Sequence, residues 1–149
     1  MQSIFDPKEN QNIIDRIDSL SPIALSQWGK MTVSQMLEHC QQPIKVANGT
    51  LNLKSNWMGF LFGKMMKKKL LEPKPFAHDM PTVKEFKILN EPDFDTSKKE
   101  LIELVNAFAT KGHANIKNSK HPFFGEMTIN EWDLLQWKHL DHHLKQFGA

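Results

Sequence analysis

The sequence predicts an all-α protein built as a bundle of four principal helices. Several segments repeat apolar residues at every third or fourth position, and helix-start signals precede most of them. Little of the chain shows the alternating pattern of a strand. Amphipathic helices must bury their apolar stripes on each other, which a bundle allows. At 149 residues, a single domain over residues 1–149 is expected.

The first predicted helix begins at Asp6-Pro7, since an aspartate caps a helix well and proline fits its first turn. Isoleucines follow at helical spacing as far as Leu20, and Ser21-Pro22 ends the helix.

The second predicted helix begins at Thr32-Val-Ser-Gln35, the pattern of a capping box. Its apolar repeat continues to about Val46–Asn48. Pro43 lacks the amide hydrogen that a helix interior uses, so a kink there or an end near Gln42 is the alternative.

Residues 57–71 predict a short extra helix that Gly59 and Gly63 weaken. Residues 72–95 contain four prolines and predict a long connection, with a brief extended piece at Phe86-Lys-Ile88.

Two further capping boxes predict the starts of the last two principal helices, at Ser97-Lys-Lys-Glu100 and Thr128-Ile-Asn-Glu131. Gly112 and Gly148 end these helices, and His113 to Gly125 is predicted to be a loop.

Composition excludes several classes of function. Nineteen basic and seventeen acidic residues give a net charge of +2, too balanced to indicate a nucleic-acid binder. No apolar run approaches the about 18 residues of a membrane span, so no stable membrane insertion is expected. Cys40 is the only cysteine and the first residues do not resemble a signal peptide, which favours a cytoplasmic location. Phosphate-binding loops, nucleophile elbows and CxxC motifs do not occur.

The histidines carry the functional signal. In His139-Leu-Asp-His-His143, residues spaced by three or four lie on one helix face, so His139 can share an ion with either His142 or His143. Imidazole suits zinc, nickel, copper and iron, and a catalytic zinc site typically has three protein ligands. His39, in the middle of the second helix, is the candidate for the third ligand.

The motifs together resemble the DinB-like superfamily, in particular a branch without an assigned function. The resemblance rests on Trp28-Gly-Lys-Met-Thr32, Gln35-Met-Leu-Glu-His39-Cys40, His121-Pro-Phe-Phe-Gly125, Glu131-Trp132 and Lys138-His-Leu-Asp-His-His143-Leu-Lys-Gln146-Phe-Gly148. It implies a DinB-type four-helix bundle with a long crossover between the second and third main helices.

The resemblance also implies one divalent transition metal, zinc or nickel, held by His39, His139 and His143. Characterised relatives use low-molecular-weight thiols in transfer reactions or resemble metal-dependent hydrolases, so a thiol-dependent S-transferase or a hydrolase acting on a small molecule is expected. The family often continues its last ligand as His-Arg-Gly-Gln. Here the run is His143-Leu-Lys-Gln146, which keeps the glutamine and lacks the arginine and glycine.

Helical spacing places further residues near these histidines. Gln35 and Gln42 lie one turn on either side of His39, and Gln146 follows His143, so all three are candidates to contact a ligand ring or a substrate. His142 is expected at the rim of the site, and Cys40 is expected to be a packed thiol.

Glu38 and Asp141 are weaker candidates for catalytic bases, because Glu38 is adjacent to His39 and Asp141 to His142, and neighbouring side chains of a helix point about 100° apart.

The alternative function is a bundle without catalysis, which binds metal, a partner or a membrane surface. Lys64 and Lys67-Lys-Lys69, beside Trp57 and Phe60-Leu-Phe62, could form a surface helix or attract an anionic substrate; a solvated face is the simpler interpretation. A homodimer is compatible with the resemblance.

Overall fold

The computed structural model describes residues 2–54, 57–78, 80, 82 and 84–149, with the backbone alone for Trp57, Met58 and Phe60. The all-α prediction is confirmed, because most of the described chain is helical. The α-helices are α1 (Pro7–Ser19), α2 (Val33–Ala47), α3 (Trp57–Leu71), α4 (Phe94–Lys111) and α5 (Ile129–Gln146). Short 3₁₀ turns occur at Lys84–Phe86 and Gly112–Asn115.

One small hairpin interrupts the helical pattern, in the segment predicted to be a loop. Strand β1 (Lys120–His121) pairs antiparallel with β2 (Gly125–Glu126), so that His121 lies opposite Gly125.

The predicted starts of three helices are confirmed. The Asp6 side chain accepts hydrogen bonds from the amides of Lys8 and Glu9, both at 3.0 Å. Thr32 and Thr128 each form the reciprocal bonds of a capping box at the starts of α2 and α5. These local hydrogen bonds satisfy amides that the first helical turn leaves free.

The predicted start of α4 is wrong. Ser97 lies inside the helix and is buried, and the cap is Asp93, whose side chain accepts from the Thr96 amide at 2.9 Å. An aspartate one turn earlier supplies the same acceptor, so the helix extends back to Phe94.

The connection after α3 also differs from the prediction. Phe86 belongs to a 3₁₀ turn rather than to an extended piece, and its side chain is buried.

Helix α2 continues through Pro43 to Ala47, which confirms the predicted end at about Val46–Asn48 and makes the alternative end near Gln42 wrong. Proline cannot donate to the His39 carbonyl, yet the helix persists because its apolar face is buried. Helices α1, α2, α4 and α5 share one core, and Cys40 is part of it as predicted. The fully or nearly fully buried members of that core include Ile13, Ile17, Met36, Leu37, Ile44, Leu101, Val105, Phe108, Leu140 and Leu144.

Helix α3 has the predicted bounds, Trp57–Leu71, and with 15 residues it is as long as α2. Two glycines of α3 face the Phe123 carbonyl oxygen at close range. A Cβ added at Gly63 would lie 2.1 Å from this oxygen, and a Cβ added at Gly59 would lie 2.9 Å from it. Both glycines therefore let the β1–β2 turn approach the helix backbone.

The basic end of α3 is partly paired, because Lys67 forms a 2.9 Å ion pair with Glu131. Leu61, Phe62 and Met65 are exposed, whereas the side chains of Trp57 and Phe60 fall outside the described part. Within the described residues, no helix combines the length and the apolar character that crossing a membrane requires.

Candidate metal site

Two helices bring three histidines together. His39 lies on α2, and His139 and His143 lie one turn apart on α5. Each offers a ring nitrogen, and these three atoms all lie within 4.8 Å of one another. His39 and His143 are buried and His139 is half-buried. Of the two pairs that helical spacing allowed, the structure groups His139 with His143.

The His39 ring is oriented by a backbone carbonyl. Its Nδ1 lies 2.9 Å from the Phe86 carbonyl oxygen, which can only accept, so Nδ1 carries the proton. The Nε2 atom is then left with a free lone pair, the form in which imidazole binds a metal ion. The 3₁₀ turn at Lys84–Phe86 supplies this carbonyl.

The His143 ring is oriented in the same way by a side chain. Its Nδ1 donates to Gln146 Oε1 at 2.8 Å, which leaves Nε2 unprotonated. The Gln146 amide in turn donates from Nε2 to the Trp28 carbonyl oxygen at 2.6 Å. Gln146 is buried, and its two hydrogen bonds, one to His143 and one to Trp28, fix its orientation.

The His139 ring completes the cluster. Its Nε2 lies 3.0 Å from Nε2 of His39, and its Nδ1 is buried without a hydrogen-bond partner among the described residues. Without an ion, the His139 Nε2 must donate to His39, because the His39 Nε2 has no proton. The same tautomer leaves the buried Nδ1 lone pair of His139 unsatisfied, which costs free energy.

The donor set fits a divalent transition metal. Zinc–nitrogen bonds of about 2.0–2.1 Å in a tetrahedral site place ligand nitrogens about 3.3–3.4 Å apart. The distance between the Nε2 atoms of His39 and His139 is 3.0 Å, close to that spacing, and the three ring nitrogens lie within 4.8 Å of one another. An ion bound through Nε2 would place the His139 proton on Nδ1, which has no acceptor among the described residues.

Burial favours the neutral form of all three rings. It is the main cause that lowers the pKa of His39, opposed by the hydrogen bond to Phe86. The pKa of His139 lies well below its usual value because of burial and then the neighbouring His143 and His39. Burial and then His39 lower the pKa of His143 to about 3. Neutral imidazole is the metal-binding form, so the site is prepared for an ion at neutral pH.

Comparison with known proteins places the chain in a family. Residues 5–149 match the model of DUF1569, a family described as proteins of unknown function. The chain belongs to the DUF1569 family. No curated protein and no solved structure gives a match. The chemistry of this DUF1569 site therefore has to be inferred from its geometry.

Of the three predicted glutamines in this DUF1569 chain, one hydrogen-bonds to a histidine within the part that the structure describes. Gln146 does, as described above. The Gln35 side chain accepts from the Thr32 amide and donates to the Asn90 carbonyl, and Gln42 donates to the Glu38 carbonyl on its own helix.

The other predicted residues lie around the cluster. Asp141 pairs with Arg16 at 3.0 Å and with Lys145 at 2.8 Å, so its carboxylate already has two cationic partners. His142 is half-buried, and its ring centroid lies 5.0 Å from that of His143.

Sequence reasoning missed two residues that position the ligands. The Phe86 carbonyl belongs to a segment that was predicted to be extended, and no motif in it indicated a contact with His39. Gly29 has φ +76°, and a Cβ there would lie 2.7 Å from Gln146 Nε2. The glycine in Trp28-Gly29 is thus the signal that could have indicated a close approach.

Proposed function

We propose that the chain is a DinB-like four-helix bundle that holds one divalent transition metal, zinc or nickel, through His39, His139 and His143. We further propose that it catalyses a hydrolysis or a thiol-dependent S-transfer on a small molecule. The observation that carries the proposal is the convergence of three neutral imidazoles from α2 and α5 within 4.8 Å. The packing of α1 and α2 against both α4 and α5, with α3 in the connection, supports the bundle.

A bound ion with an open coordination position would supply a nucleophile from water or a thiol at neutral pH, since it lowers their pKa values. The protein residues would do the positioning. The Phe86 carbonyl and Gln146 keep the protons of His39 and His143 on Nδ1, so that each Nε2 faces the shared centre. Burial excludes bulk water and strengthens electrostatic effects there.

The test is the metal content of untagged protein beside His39→Ala and His143→Ala. About one equivalent of metal in the parent, lost in both variants, is the expected result. His113→Ala is the matched control, because His113 is exposed and contacts Phe5 rather than the cluster. A parent that binds no metal after reloading with zinc and nickel would contradict the proposal.

Thermal unfolding of the same proteins separates a functional ion from a structural one. A functional site predicts that His39→Ala loses the metal and remains folded. An unfolded variant would favour a structural ion.

The exposed apolar residues of α3 favour a second candidate function, binding to an anionic membrane surface. Leu61, Phe62 and Met65 are exposed on a helix that also carries Lys64 and Lys68. Sedimentation with phosphatidylserine vesicles tests it, with Phe62→Asp as the variant. Binding that this variant abolishes would support the second function.

A further inference from the structure

A cavity of about 140 Å³ lies beside the histidine cluster, between the chain segment after α3 and one face of α5. Its apolar walls include Trp28, Phe76 and Trp137. A cavity of about 150 Å³ holds a benzene molecule, so the space suits a molecule of that size. His142 also lines the cavity, and its ring lies next to that of the predicted ligand His143.

The charged groups in the lining are mostly cationic. Lys74, Lys138 and Lys145 face the cavity together with one acid, Asp141. The Asp141 carboxylate is already paired with Arg16 and Lys145. Lys74 and Lys138 form no ion pair among the described residues, although the Glu72 carboxylate acts on Lys138 electrostatically. The lining therefore carries an excess of positive charge that an anionic group would neutralise.

Lys138 has a fixed position in this lining. Its Nζ donates to the Leu70 carbonyl at 2.8 Å and to the Glu72 carbonyl. These bonds hold α5 against the end of α3. An ammonium group has three protons, so one of them takes no part in these two bonds. A third acceptor from a ligand would complete the coordination of a buried cation.

Trp28 forms part of the aromatic wall of the cavity. Its ring stacks on His78 with centroids 3.8 Å apart and an interplanar angle of 10°. Its Nε1 is buried and has no hydrogen-bond partner among the described residues. The indole N–H therefore belongs to the wall of the cavity and reports on changes there.

We propose that this cavity binds a small molecule with an apolar body of about the size of benzene and one negatively charged group. The Gln146 bridge between His143 and Trp28 connects the cavity to the histidine cluster. The assignment of the bound molecule as the substrate rests on the proposed function. The binding of an anion in the cavity does not depend on that function.

Benzoate is the probe, with benzamide and benzylamine as neutral and cationic controls of the same size. The readout is the indole N–H signal of Trp28 in a ¹⁵N–¹H correlation spectrum, which Trp28→Phe identifies. Benzoate is expected to shift this signal saturably, with a Kd on the order of 1 mM, as its few heavy atoms allow. Both controls are expected to bind at least tenfold more weakly. Equal shifts by benzamide, or none by benzoate, would overturn the proposal.

Charge reversal provides the second test. Lys74→Glu is expected to weaken benzoate binding about tenfold. Lys99→Glu makes the same change in net charge on an exposed position of α4, away from the cavity, and is expected to leave the Kd unchanged. An equal effect of both variants would show that only overall charge matters and would overturn the cavity as the site.

His39→Ala separates this inference from the proposed function. Benzoate binding that survives in His39→Ala supports an anion site that does not require the metal. A parent that binds zinc without binding benzoate overturns the inference and leaves the metal site standing. A parent that binds benzoate without binding any metal supports the anion site and overturns its role as a substrate site.

Discussion

The His143 imidazole and the Gln146 side chain, three residues apart on α5, share a hydrogen bond of 2.8 Å from Nδ1 to Oε1. Because both residues are buried, the bond fixes the ring tautomer as well as its orientation. Gln146 continues to the Trp28 carbonyl, so the chain before α2 supports a predicted ligand on α5. Substitutions of Gln146 and of the neighbouring Gly29 test this bridge.

Gln146→Met is expected to lower the affinity for zinc by about 10- to 100-fold, because the side chain keeps its length and loses the acceptor for His143. Competition with a chromophoric chelator measures the affinity. Gln42→Met is the matched control, since Gln42 is on α2 and its amide hydrogen-bonds to the Glu38 carbonyl and to no histidine among the described residues. Equal losses in the two variants would contradict a positioning role for Gln146.

Gly29→Ala is expected to disturb the same bridge from the backbone side. A Cβ at Gly29 would lie 2.7 Å from Gln146 Nε2, and its φ of +76° costs a non-glycine residue about 1 kcal/mol or more. Gly125→Ala is the control: φ is +74° and nothing lies within 4 Å of the added Cβ. Chemical denaturation should show a loss of stability in both variants, whereas zinc affinity should fall in Gly29→Ala alone. Unchanged zinc affinity in Gly29→Ala would show that Gly29 does not help to position the metal ligands.

Gly63→Ala tests whether packing or helix propensity controls α3. Propensity alone predicts a gain of about 1 kcal/mol for alanine inside a helix. The added Cβ would lie 2.1 Å from the Phe123 carbonyl oxygen, so we expect a net loss of about 1–3 kcal/mol instead. Urea unfolding gives the sign directly, and a stabilised variant would mean that the β1–β2 turn does not pack on α3 as described.

His121 is expected to make stability depend on pH. Burial lowers its pKa to about 4, while Nδ1 accepts from the amides of Phe123 and Phe124. The unfolded state binds the proton more readily than the folded state. The stability that the neutral His121 ring contributes is therefore complete above about pH 6.5 and is lost as the pH falls toward 4. The loss can reach about 3 kcal/mol.

His121→Asn provides the control for this pH dependence. An asparagine Oδ1 can accept the same two amides and does not titrate. The difference in unfolding free energy between parent and variant should therefore change between pH 7 and pH 4.5. A constant difference over this range would show that His121 is not buried in the neutral form.

The sequence by itself determined the helical class, the starts of α1, α2 and α5, and the histidines that are candidates for metal ligands. These features depend on local chemistry: Asp6, Thr32 and Thr128 cap the amides of their own first turns, and apolar spacing follows the helix period. The start of α4 was missed because Asp93 and Ser97 are both capable caps and only packing selects between them.

The tertiary structure alone decided how the histidines are grouped and held. Spacing on α5 allowed His139 to act with His142 or with His143, and the position of α2 selects His143 by placing His39 beside it. The Phe86 carbonyl and the Trp28 backbone lie far from their histidines along the chain, so no local pattern encodes those contacts. The physical reason is that ring tautomers, burial and the neighbouring cavity depend on groups that only folding brings within hydrogen-bond distance.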